Sequence, residues 1–100
     1  MTTDQSETYF GLSFHTSLVE VSKKAKLTLL NRELQSLIER HFQFDGGYLD
    51  EADLLRNKNS FEKKSGIIES RFEAGSSGQD LIIRSDLDGS WTYVFLSGEE

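Results

Sequence analysis

The segment RSDLDGSWTYVFL, residues 84–96, predicts the end of one β-strand, a tight turn and a second strand that carries three aromatic side chains. The turn residues 86–89, Asp-Leu-Asp-Gly, suit a type I turn followed by a glycine in the left-handed region, which is a three-residue hairpin with a bulge. This register sets Ile83 opposite Tyr93 and places Trp91 on the same face of the hairpin.

A two-residue turn at Asp88-Gly89 is the alternative, and it shifts the pairing by one residue. The residues on one face would then be aliphatic: Leu81, Ile83, Val94 and Leu96. Those on the other would be Ile82, Arg84 and the aromatic side chains.

The apolar area of the aromatic side chains favours the first register. Three aromatic side chains bury about 150–250 Å² each, which at about 25 cal/mol per Å² is on the order of 10 kcal/mol. We therefore expect Trp91, Tyr93 and Phe95 to face the core. The residues of the opposite face, open to water or to a partner, would be Ile82, Arg84, Thr92 and Val94.

The rest of the last third predicts a three-strand antiparallel meander. Its runs are GIIESRFEAG, DLIIRS and SWTYVFL, residues 66–75, 80–85 and 90–96, and polar turn residues separate them.

A long helical pattern precedes the meander. Ser17 and Glu20 form an S-x-x-E capping box, and apolar residues that include Leu34, Leu37 and Ile38 recur at helical spacing, so we expect these three in the core. A single helix over residues 18–43 would be roughly 39 Å long. A break within residues 28–31 is an alternative, because Thr and Asn are weak helix formers and good caps. An extended SLVEVS, residues 17–22, is the main competitor.

Shorter elements complete the prediction. Residues 45–47, Asp-Gly-Gly, end the helical region, and residues 48–58 predict a short second helix with acids in its first turn. Residues 57–66 predict a loop. The alternation in YFGLSFH, residues 9–15, predicts a short strand.

We therefore expect an α+β fold, in which a long helix region and a short helix pack on a small antiparallel sheet that the N-terminal strand could join. Residues 1–8 are expected to form a flexible tail, and residues 9–100 a single domain.

Composition and net charge narrow the classes of site and partner that this protein can have. The 100 residues hold no cysteine, which excludes disulfides and thiolate sites, and neither a secretory signal pattern nor a long apolar run occurs, so we expect a cytoplasmic protein with no membrane contact. Seventeen acids against eleven bases give a net charge of −6. This charge disfavours nucleic acid as a partner and favours a protein with a basic surface.

Motifs for catalysis or for ligand binding are missing. His15 and His41 are the only histidines, no G-x-S-x-G elbow occurs, and the DLDG turn lacks the spacing and closing glutamate of a calcium loop. The sequence therefore predicts no enzyme, no catalytic residue, no cofactor and no metal site.

The function that we expect is a small acidic protein-binding module of the inhibitor, immunity or adaptor type. Its candidate contacts are Asp45, Asp50, Glu51, Asp53, Ile82, Arg84 and Val94. One alternative is an assembly protein that forms a homodimer through a sheet face or edge. Another is an acidic mimic of nucleic acid.

Overall fold

The computed structural model describes residues 13–75 and 77–99 of the chain. In chain order the elements are β1 (Leu18–Val21), α1 (Lys23–Thr28), α2 (Asn31–Phe42), α3 (Glu51–Lys63), β2 (Ile67–Glu73), β3 (Asp80–Asp86) and β4 (Trp91–Leu96). The strands form one sheet in the order β1-β4-β3-β2, where β1 is parallel to β4 and the other pairs are antiparallel. The predicted α+β fold is confirmed.

The strand that joins the meander is β1, and the prediction that Ser17 caps a helix was wrong. The Ser17 N–H donates to the Ser90 carbonyl at 3.0 Å, and the chain then runs extended beside β4. The cap is Ser22, whose Oγ accepts from the Ala25 N–H at 3.1 Å. Pairing with β4 satisfies those backbone groups of β1 that face it, and this contact between distant residues overrides the local capping signal.

The predicted N-terminal strand over residues 9–15 falls partly on residues 9–12, which lie outside the described residues. Residues 13–15 belong to no strand.

The helical region is two helices, and the break lies where the weak helix formers predicted it. Leu29 and Leu30 are extended, with ψ angles of 150° and 153°. The Leu30 N–H donates to the Glu33 carboxylate at 2.9 Å, which satisfies a backbone donor at the start of α2. No described helix is long and apolar enough to cross a membrane.

The third helix is longer than expected, because the predicted loop over residues 57–66 is helical as far as Lys63. Asp50 caps α3 by accepting from the Asp53 N–H at 2.9 Å. Lys64 ends it in the left-handed conformation at a φ of 56°. The polar residues that suggested a loop include Asn57, which is 7% exposed and bonds to β2.

The β3–β4 hairpin adopts the alternative register, so the expected inward orientation of the aromatic side chains was wrong. Ile83 pairs with Val94 and Leu81 with Leu96. These four aliphatic side chains face α1 and α2 and are 0–1% exposed. Leu34, at 4% exposed, belongs to this core as predicted. Leu37 and Ile38, which were also expected in the core, are partly buried and pack against it.

Contacts between the turn and the residues before β2 accompany this register. Residues 87–90 form a four-residue turn in which Ser90, and not Gly89, has a positive φ of 58°. The Leu87 N–H donates to the Gly66 carbonyl at 2.9 Å, and the Asp88 carboxylate accepts from the Ser65 hydroxyl at the same distance. The turn is thus hydrogen-bonded to the residues before β2. Sequence preferences for turn residues are local, so they do not predict this contact.

Candidate partner-binding face

The sheet has an inner face, which packs on α1 and α2, and an outer face, which carries alternate residues of every strand. From the register the outer residues are Leu18, Glu20, Ile67, Glu69, Arg71, Glu73, Asp80, Ile82, Arg84, Asp86, Trp91, Tyr93 and Phe95. Three aromatic side chains therefore lie on the side of the sheet away from the main core.

Charged side chains cover most of the half of this face over β2 and β3, and Ile67 at its end is 42% exposed. The Arg84 guanidinium lies 5.2 Å from the centre of the Phe95 ring and donates to the Glu69 carboxylate at 2.8 Å. Phe95 is therefore only 7% exposed, and Ile82, which pairs with Phe95 and Arg71, is fully buried. Long side chains with apolar stems cover these residues while their charges stay in water.

A second polar group closes the end of the covered half. The Tyr48 hydroxyl donates to Asp80, and Arg71 donates to the same carboxylate at 3.1 Å. The hydrogen bond from Tyr48, with the Arg71 charge, holds the pKa of Asp80 below its usual value. The same bond raises the pKa of Tyr48 to about 12, because the phenol must lose a proton that it shares with a carboxylate.

The half over β1 and β4 is open, and we call its residues Leu18, Glu20, Trp91 and Tyr93 the aromatic patch. Leu18 is 54% exposed and Tyr93 is 47% exposed. With Thr92 the four residues line a shallow cavity of about 300 Å³. The Trp91 and Tyr93 rings meet edge to face with their centres 5.9 Å apart, a geometry that stabilises aromatic pairs.

The turn holds Trp91 in place. A Cβ atom on Gly89 would lie 2.8 Å from both Cδ1 and Nε1 of Trp91, so the indole packs directly on the glycine backbone. The Trp91 ring thus packs on both the Gly89 backbone and the Tyr93 ring. An aromatic side chain that is already ordered loses little conformational entropy on binding.

The outer face is acidic. Glu20, Glu69, Glu73, Asp80 and Asp86 point to this side of the sheet, against Arg71 and Arg84. Both arginines make ion pairs with acids of the same face. In the aromatic patch the charged residue is Glu20, so the electrostatic field there favours a cation.

Most of the acids predicted as contacts have local structural roles. Asp45 pairs with Arg40 at 2.8 Å and accepts from the Gly47 N–H, and Asp50 caps α3. Asp53 pairs with Arg56 one turn along α3, and Glu51 lies exposed in its first turn. None of the four lies on the outer face of the sheet, and their role as partner contacts stays a prediction.

Ile82, Arg84 and Val94, which were predicted to share one open face, lie on different faces of the sheet in the observed register. Val94 is 0% exposed on the inner face, and Ile82 is 0% exposed under its neighbours. Arg84 does lie on the outer face, over Phe95.

Sequence reasoning found Trp91 and Tyr93 as a stripe but missed Leu18 and Glu20. The signal for those two was the alternation in LVEV, residues 18–21, which the capping box obscured. Once this segment is read as a strand, alternate residues place Leu18 and Glu20 on one face.

A buried polar chain crosses the inner face of the sheet. It runs through Thr16, Thr92, Ser85, His41 and Ser70 and ends on the carbonyls of Leu18 and Asp45. His41 Nδ1 lies 2.6 Å from the Ser70 Oγ, and Nε2 lies 2.8 Å from the Ser85 Oγ. Burial lowers the pKa of His41 to about 3, so the ring is neutral.

Serine beside histidine is also the arrangement of a nucleophile and its base. Here His41 and Ser85 are 0% exposed and Ser70 is 1% exposed, so no substrate atom can contact these groups in this structure. The buried polar chain instead satisfies the hydrogen-bonding groups that the fold buries. Among the described residues, no group of three or more histidine or acidic side chains is arranged to hold a metal ion.

Comparisons of the chain with protein-family models, with curated proteins and with solved structures found no match. The proposal below therefore rests on the geometry and charge of the residues described above.

Proposed function

We propose that this chain is a small acidic, non-catalytic protein-binding module of the inhibitor, immunity or adaptor type, which binds a basic protein. The aromatic patch carries the proposal. It joins the exposed side chains of Leu18 and Tyr93 and the half-buried Trp91 to the carboxylate of Glu20 beside a cavity of about 300 Å³. Aromatic anchors in pockets supply much of the binding energy of protein interfaces.

Charge supports a basic partner. The chain carries a net charge of −6, and acids outnumber arginines on the outer face of the sheet. Opposite charges steer two proteins together and raise the association rate at low salt. The cytoplasm as the compartment stays a prediction from the sequence.

Affinity capture with matched variants tests the proposal. Tyr93→Ser removes an exposed ring from the aromatic patch, and Leu27→Ser removes a 78% exposed side chain from α1, away from the patch. A basic protein from the native source should bind the wild-type chain and the Leu27 variant but not the Tyr93 variant. Its capture should weaken as salt is raised. Equal capture by both variants would show that the patch is not the binding surface.

Self-assembly is the second candidate function, and the position of β1 at the edge of the sheet favours it. No described strand pairs with the outer side of β1, and such an edge can pair with the same edge of another copy. Two copies would each bring a net charge of −6, which opposes that contact. Sedimentation at rising protein concentration in high salt tests it. A dimer that persists after Tyr93→Ser would support an assembly role through the edge.

A further inference from the structure

The outer edge of β1 has backbone groups available for a further strand. The N–H groups of Leu18 and Ser22 donate toward β4. Alternate residues of a strand direct their backbone groups to opposite sides, so those of Val19 and Val21 point away from the sheet. Within residues 13–75 and 77–99, no other strand pairs with β1 on that side.

The opposite edge of the sheet is closed. On β2 the Arg71 N–H donates to the Gly46 carbonyl at 3.0 Å, and the Arg71 carbonyl accepts from the Tyr48 N–H at 3.1 Å. The Asn57 side chain bonds both backbone groups of Glu69, at 2.7 and 2.9 Å. Proteins normally cover or blunt edges that must not pair. Of the two edges that the described strands form, β1 is therefore the one available to a partner.

Side-chain chemistry around β1 specifies what such a strand would carry. In an antiparallel addition, the residue opposite Glu20 lies on the outer face, and its neighbours lie on the inner face beside Val19 and Val21. A long cationic side chain opposite Glu20 would meet its carboxylate and point toward the cavity beside Tyr93. Aromatic faces attract such cations. The flanking residues would extend the apolar surface of the two valines.

We propose that β1 binds an extended segment of the partner by strand addition, with an arginine or lysine opposite Glu20 and apolar residues on either side. This inference rests on the proposed function and names the partner chemistry for the same surface. Backbone hydrogen bonds supply affinity in this mode, and the alternating side chains supply specificity.

Charge argues against a second copy of the chain as the occupant. Symmetric antiparallel pairing of two β1 strands that is centred on Glu20 sets the two glutamates directly opposite each other, which is destabilising. Lys23 and Lys24 follow β1 at the start of α1. Their charge disfavours cations beyond that end of the strand, so the favoured place for a partner's basic residue is opposite Glu20.

Two short synthetic peptides test the proposal on the full chain. Both alternate valine and threonine, and at the central threonine position one carries arginine and the other glutamate. The arginine peptide should slow hydrogen exchange at the amides of Val19 and Val21 and leave Glu69 unchanged. Glu20→Lys should weaken the arginine peptide about tenfold and favour the glutamate peptide. Glu39→Lys, the matched control, changes the net charge equally on an exposed position of α2 and should have no effect.

A proline variant tests the backbone contribution separately. Val19→Pro removes an N–H that the sheet does not use, so the chain should fold and fail to bind the peptide. Equal binding of both peptides, or binding that Val19→Pro does not affect, would overturn the proposal. Protection of the Val19 amide from hydrogen exchange that rises with protein concentration in the absence of peptide would also overturn it, because it indicates a second copy. Protection without peptide that disappears when residues 1–12 are deleted would overturn it too, because it indicates the chain's own N-terminal segment.

The two proposals fail differently. Capture that depends on Tyr93 but is unchanged by Glu20→Lys and Val19→Pro would retain the protein-binding function and reject strand addition. Capture unchanged by all three variants would reject both.

Discussion

Nδ1 of His41 lies 2.6 Å from Oγ of Ser70, and this contact determines which nitrogen of the ring carries the proton. The Ser70 hydroxyl also lies 3.0 Å from the Asp45 carbonyl, an acceptor only, and donates to it. The hydroxyl must then accept from Nδ1–H. Nε2 is left without a proton and accepts from the Ser85 hydroxyl.

A count of protons supports this assignment. The buried polar chain contains six contacts, whereas its four hydroxyls and a neutral imidazole supply five protons. One of the six contacts must therefore lack a proton. The Thr16–Leu18 contact is exposed and the Ser70–Asp45 contact is partly buried. Water can replace the exposed hydrogen bond, so a missing proton costs the least free energy at the Thr16–Leu18 contact.

Stability should fall as the pH is lowered from about 6.5 toward 3. In the unfolded chain His41 takes up a proton near 6.5, whereas burial lowers its pKa to about 3 in the folded chain. The unfolded state therefore binds more protons in this window, and each pH unit costs up to about 1.4 kcal/mol. Denaturant melts at several pH values measure the slope. Nitrogen NMR should show a neutral Nδ1–H ring that does not titrate while the chain stays folded, and a ring that protonates near 6.5 would contradict this prediction.

Removing one hydroxyl from the buried polar chain should be costly. Ser85→Ala leaves Nε2 of His41 without a donor and Thr92 without an acceptor, so we expect a loss of about 1–3 kcal/mol in the free energy of unfolding. Ser36→Ala, an exposed position on α2, should change it by less than about 0.5 kcal/mol. Equal denaturation midpoints for the two variants would show that the buried polar chain does not contribute to the stability of the protein.

Asn57 should seal the edge of β2. Asn57→Ala removes both side-chain bonds to Glu69 and should lower stability by about 1–3 kcal/mol while exposing the Glu69 amide to hydrogen exchange. Asn59→Ala lies on the same helix at an exposed position and is the control, with an expected change under about 0.5 kcal/mol. Unchanged exchange at Glu69 in the first variant would contradict the role of Asn57.

The single tryptophan reports on the aromatic patch. Gly89→Ala places a methyl group against the Trp91 indole, so the ring must move, and its fluorescence should become more accessible to acrylamide. Gly78→Ala adds a methyl group in open space, and it should leave Trp91 quenching unchanged whatever its effect on stability. Identical quenching in both variants would show that the Gly89 contact does not hold the ring.

Local patterns predicted much of the architecture. The three strands of the meander, the break between α1 and α2 and the core position of Leu34 each follow from residues within one turn or strand of each other. Hydrophobic periodicity and weak helix formers act over a few residues, so their effects can be read along the chain. The aromatic stripe of Trp91 and Tyr93 was visible in the same way.

The face on which that stripe lies depends on contacts between distant residues. Hydrogen bonds from the turn to Ser65 and Gly66 accompany the shift of one residue, and in a strand such a shift exchanges the two faces. The pairing of Leu18 with Trp91 likewise joins residues far apart in the chain and turns a predicted helix start into the strand that completes the patch. Local propensities amount to a few tenths of a kcal/mol per residue. The shift turns Val94 and Leu96 to the inner face, where their burial by α1 and α2 contributes about 1.5–3 kcal/mol for each side chain. Burial of these aliphatic side chains therefore set the register, and that burial exists only after the helices have packed on the sheet.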